Sequence, residues 1–125
     1  MFDLTTLADK PSNQELHQLA MKIVGDDLIA QGYELVTVNS ELKKEPQFVC
    51  KKEKQLIFIV VKASVYPANP KDYDQEVLDK IKAHAEKYDA SVCFAGVGFA
   101  RAENYDLPLI KSKPYAINYE GLKDL

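Results

Sequence analysis

Apolar residues crowd most densely between Pro46 and Lys62, in the stretch PQFVCKKEKQLIFIVVK. Two apolar runs, Phe48–Cys50 and Leu56–Lys62, flank a polar KKEKQ tip, which is the pattern of a β-hairpin. In the second of these strands Leu56, Phe58, Val60 and Lys62 share one face, and Ile57, Ile59 and Val61 share the other. Both faces are apolar, so the strand is expected to be central, covered on both sides and closed by its lysine.

Upstream, Ser12 and Glu15 form an S-x-x-E capping box behind Pro11. Leu16, Ala20, Ile23, Val24 and Leu28 follow at helical spacing, predicting a helix over 12–31. Gly25 weakens its middle by about 1 kcal/mol relative to alanine, and Gly32 ends it as a left-handed C-cap. Tyr33–Val38 reads as a first strand. Downstream, Pro67 and Pro70 punctuate a loop. A second helix is predicted from Lys71 or Asp72 to Tyr88, with Asp72, Asp74 and Glu76 in its first turn, where the helix dipole favours acids. Its expected inner stripe is Tyr73, Val77, Ile81, Ala85 and Tyr88, with His84 at the edge. Ala90–Phe99 reads as a buried strand, and strand–helix–strand implies a right-handed parallel crossover. Residues 102–113 read as loop or a short turn, and Pro114–Tyr119 as an edge strand. The expected fold is a single α/β domain, a mixed sheet flanked by helices in the order α-β-β-β-α-β-β.

Composition narrows the function classes. With 125 residues and 46% hydrophobic content, the chain can build a core without disulfides or metals. Its start, MFDLTTLADK, has neither the basic nor the apolar region of a signal peptide, and no run approaches a bilayer span. Cys50 and Cys93 fall in predicted strands and are expected as buried reduced thiols, pointing to a cytoplasmic protein without membrane association. A net charge of −3 argues against nucleic acid, and Arg101 is the sole arginine among 16 basic residues. Residues 41–62 nevertheless hold six lysines against three acids. Lys43, Lys44, Lys51, Lys52 and Lys54 are therefore candidates for polyanion binding, set against the plainer reading of a solvated edge that blocks strand aggregation.

Some chemistries find no residues to carry them. The cysteines, 43 positions apart, cannot ligate an iron–sulfur cluster alone. His17 and His84 lie on different helices without metal-ligand spacing. GVGFA, Gly96–Ala100, lacks the full G-x-G-x-x-G of a dinucleotide site.

A helix ending in Gly-Tyr, three strands with a hairpin, then helix and strand resembles the restriction-endonuclease-like, PD-(D/E)xK, fold over residues 12–100. Residues 1–11 are then a lead-in, and 101–125 a C-terminal loop and edge strand. In that family an aspartate opens the first hairpin strand and E-x-K ends the second. The carboxylates hold Mg²⁺, which activates water. Laid on this chain, the resemblance puts Lys62 at the lysine, Gln47 at the metal-binding aspartate, Val60 at the glutamate and Pro46 at the motif proline. An acid that some relatives carry on the first helix falls near Met21. One amide and one valine cannot replace two carboxylates around a hard dication.

The expectation is therefore a non-catalytic nuclease-like domain, without a cofactor, that binds a protein partner or itself. Tyr66, Tyr105 and Tyr115 suit an interaction surface, with self-association through the edge strand or the Tyr66–Tyr73 loop. The rival is an Mg²⁺- or Mn²⁺-dependent nuclease with a migrated acid, Glu76 first, or Asp74, Asp26 or Asp27. The third reading is polyanion binding by the lysine hairpin.

Overall fold

The computed structural model describes residues 10–41 and 44–125. Two helices cover opposite faces of one mixed six-stranded sheet: α1 (Asn13–Ala30), β1 (Glu34–Val38), β2 (Phe48–Lys52), β3 (Gln55–Val65), α2 (Gln75–Glu86), β4 (Ser91–Arg101), β5 (Tyr115–Asn118) and β6 (Lys123–Asp124). The α/β class follows directly, with β6 as one short strand more than the sequence reading. β1, β2 and β3 form an antiparallel meander, and β4 lies parallel to β3 after the crossover through α2. β5 and β6 both pair antiparallel with β4. The first nine residues of the expected lead-in lie outside the described residues.

The predicted capping box is present. The Ser12 hydroxyl accepts from the Glu15 N–H, and the Ser12 N–H donates to the Glu15 carboxylate. Lys111 also pairs with Glu15 at 2.8 Å. That lysine and the cap hold the Glu15 carboxyl below its usual range. At the far end Gln31 caps α1, and Gly32, at φ 87°, takes the left-handed conformation that lets the Tyr33 N–H return to the Leu28 carbonyl. Gly25 tolerates its cost because the Phe48 ring packs against it.

β3 divides the core as its alternation predicts. Ile57, Ile59 and Val61 join Cys50, Cys93, Ala95 and Val97 under α1. Phe58 and Val60 join Val92 and Phe94 under Leu78, Ile81 and Ala85 of α2. Burial pushes the Cys50 thiol up to about 11 and that of Cys93 up to about 12, so both stay protonated, and Cys93 Sγ donates to Asp124 of β6.

Several boundaries differ from expectation. α2 begins at Gln75, because the Asp74 carboxylate accepts the N–H groups of Glu76 and Val77 and fixes the cap there. Its inner stripe is Leu78, Ile81 and Ala85. Leu78 is 1% exposed, whereas Tyr88, beyond the helix end, is 57% exposed. The KKEKQ tip shrinks to a two-residue turn, Glu53–Lys54, with φ of 52° and 70°.

β3 also runs past Lys62 to Val65. Lys62 sits opposite Gly96 of β4, where no side chain competes for space. A methyl group at Gly96 would run into the carbonyl oxygen of Pro70, and one at Gly98 would crowd the Pro70 ring. These glycines let the 66–72 loop lie directly on the sheet, which brings the Asp72 carbonyl within 3.2 Å of Lys62 Nζ. Gly96→Ala is expected to destabilise the chain by about 1–3 kcal/mol through that overlap. Denaturant unfolding measures it; an unchanged midpoint would show that the loop does not rest on Gly96.

Candidate functional site

A cleft of about 690 Å³ opens where β3 outruns β2. β2 ends at Phe48, opposite Ile59, while β3 continues to Val65 beside β4. One wall comes from the start of α1 (Asn13, Leu16, His17), the other from the approach to α2 (Tyr73, Asp74, Val77), and Glu45 closes one end.

Gln47 holds the junction. Its side chain is 1% exposed. Its N–H donates to the Ile59 carbonyl, its carbonyl accepts from the Asn39 N–H, and its Oε1 accepts from the Val61 N–H at 2.8 Å. The side-chain amide thus stands where the carbonyl of a continuing strand would have been. Val60 is buried beneath α2, and Lys62 is exposed at the cleft, donating to the Asp72 carbonyl. All three positions border the cleft.

The candidate acids do not gather there. Glu76 is exposed on α2 and does not line the cleft. Asp74 does, but its carboxylate is occupied as the α2 cap. Asp26 pairs with Lys22 at the surface. Asp27 accepts from the Tyr119 hydroxyl and from Gln31, and burial together with that bond raises the Tyr119 pKa. Met21 is buried in the core under α1. Among the described residues no group of three or more His, Cys, Asp and Glu side chains could hold a metal ion.

Nor do the hairpin lysines make one patch. Alternation sends Lys51 and Lys52 to opposite faces of β2. Lys52 lies 4.5 Å over the Tyr33 ring, and Lys51 is opposite Glu34 and Leu56. Lys54 is in the turn, Lys44 is exposed before β2, and Lys43 lies outside the described residues. Tyr66 and Tyr105 stack edge to face and are exposed, while Tyr115 packs on Phe99.

His17 is the cleft residue for which the sequence offered no role. It is 1% exposed, and its Nε2 has no hydrogen-bond partner. Burial lowers its pKa below the ordinary 6.5, with the Glu45 carboxylate opposing more weakly. Its position next to Leu16 on the apolar stripe signalled burial, but not that the imidazole reaches the cleft.

Two outcomes follow. Gln47→Ala leaves the Val61 N–H unpaired and is expected to cost about 1–3 kcal/mol in denaturant unfolding; a loss near zero would mean that water replaces the amide without cost. For His17, the unfolded chain takes up a proton below about pH 6.5 that the folded chain resists, so stability falls as pH drops through that range. The unfolding midpoint of His17→Leu should fall less between pH 7.5 and 5.5 than that of the wild type. Parallel curves would show that His17 titrates alike in both states.

Among the described residues no helix is long and apolar enough to cross a membrane. No curated protein and no solved structure is found to match the chain. A family model does match residues 14–125, from the first turn of α1 through β6, and the chain therefore belongs to the family described as Domain of unknown function (DUF8840).

Proposed function

We propose that this chain is a non-catalytic binding module on a restriction-endonuclease-like, PD-(D/E)xK, scaffold, and that the cleft beside β3 takes a protein partner. One observation carries the reading. The three positions that the resemblance assigns to the nuclease site, Gln47, Val60 and Lys62, border a single cleft, and none of them is a carboxylate. The antiparallel meander followed by a parallel crossover is the strand arrangement such a scaffold uses. Mg²⁺ demands near-octahedral oxygen ligation and sheds water reluctantly. An amide already bonded to Val61 and a buried valine do not supply it. What the cleft does supply is a mixed surface, apolar at Leu16 and Val77 and polar at Lys62, His17 and Glu45.

Labelled single-stranded, double-stranded and branched DNA and RNA, incubated with the chain in Mg²⁺ or Mn²⁺, are expected to stay intact. Cleavage that disappears in both Lys62→Ala and Glu76→Ala would replace this reading with a nuclease using a relocated acid. The binding half is tested by selecting displayed random peptides on the folded chain and comparing them on Asn13→Trp, where the added ring stands at the exposed mouth of the cleft. Peptides that bind wild type and lose the variant support the cleft; peptides indifferent to it place the binding surface elsewhere.

A further inference from the structure

Polar groups without partners among the described residues border the cleft. Main-chain groups on a strand alternate between its two sides. Ile59 and Val61 turn theirs toward Gln47, through the Ile59 carbonyl and the Val61 N–H. Ala63 therefore turns its N–H and carbonyl the same way, where β2 is no longer present and the cleft begins. At the next such position the Val65 carbonyl accepts from Ala68 in a turn, which closes the edge. Ala63 thus lies between a rung whose N–H is taken by Gln47 and one whose carbonyl is taken by Ala68.

His17 Nε2, on the α1 wall, and Ser64 Oγ, next to Ala63, are buried without hydrogen-bond partners among the described residues, and both residues line the cleft. A buried polar atom without a partner costs about 1–3 kcal/mol, so both favour a ligand that brings donors and acceptors. Lys62 donates only to a main-chain carbonyl, and among the described residues no carboxylate lies within ion-pair distance of it.

We propose that the cleft binds an extended segment of a partner protein as an added β-strand, paired through its main chain with Ala63, with an acidic side chain of the segment against Lys62. This rests on the binding-module reading above. From Val60 to Val65 the strand spans about 17 Å, the length of a five- or six-residue partner strand. An added strand takes its affinity from main-chain bonds and its specificity from alternate side chains. Here those side chains meet Leu16 and His17 on one wall, and Lys62, Tyr73 and Val77 on the other. A helix could meet the Ala63 rung only through a side chain, because its own main-chain groups are already bonded to one another.

The peptides selected on wild type and lost on Asn13→Trp are the probes, with the folding of each variant checked by circular dichroism and denaturant unfolding. Methylating one backbone nitrogen in register with Ala63 is expected to weaken binding about tenfold or more, while methylating its neighbours changes little. Peptides carrying an acid should lose about tenfold on Lys62→Glu. The Ala63 amide should exchange more slowly when peptide is bound. Cleft-dependent peptides insensitive to methylation at every position would overturn the added strand and leave the binding cleft standing. If no cleft-dependent peptide is obtained, both readings fall. A wild-type dimer in light scattering that Asn13→Trp dissolves would make a second copy of the chain the occupant and overturn the partner assignment.

Discussion

β3 and β4 pair in parallel from Ile57 opposite Ser91 to Val65 opposite Phe99, and each strand is apolar on both faces. A two-sided apolar ladder has to be covered twice, and parallel strands need a long connection between them. α2 satisfies both requirements, because it is the crossover and also the cover for Phe58, Val60 and Phe94. α1, with Leu16, Ala20, Val24 and Leu28 at helical spacing, covers the other face. The remaining strands are short additions to this pair. Its stability comes from burial on both sides, and its position sets where everything else can go.

The cleft follows from a mismatch of length. β3 is as long as β4, but β2 matches only its first half, since the chain enters β2 from Pro46 and Gln47. Pro46 has no N–H to give to a ladder, and Gln47 completes the edge with its side chain. The loop before α2 can lie over the far side of β3 only because Gly96 and Gly98 present no side chains. Two local features thus shape this region, an amide acting as a strand carbonyl at the cleft and a pair of β4 glycines that admit a proline beside it.

Much of the framework was legible in the sequence because it rests on period and punctuation. The S-x-x-E cap, the Gly32 terminus, the two-faced β3 and the buried cysteines are all local patterns. Other features depend on partners distant in sequence. Tyr88 matched the helical period, but Asp74 moved the helix start and Leu78 took the inner position. β6 is two residues long and has no pattern of its own; it forms because β4 has an open edge near Cys93. Gly96 and Gly98 stood out only as a failed nucleotide motif, and their use became visible once Pro70 was placed above them. That Gln47, Val60 and Lys62 border one cleft depends on contacts between elements distant in sequence. Nothing local says that the Gln47 amide is bonded to Val61, or that His17 reaches the cleft with a nitrogen unmatched.

A carboxylate at position 47 could accept the same Val61 N–H, but it would place a charge in a pocket where Gln47 is 1% exposed. Such a charge would have to be offset by a nearby cation or removed by protonation. The neutral amide gives the same acceptor with no charge to offset, and Val60 beside it is buried and apolar. Lys62 is the basic group of the cleft floor, and two acids, Glu45 and Asp74, stand at its margins. Asp74 is held by the α2 cap, which leaves Lys62 the better placed of the two signs to receive a ligand's charge. A cleft that runs along one strand edge is suited to recognising a main chain, because the hydrogen-bonding geometry of a strand edge is set by the sheet it belongs to.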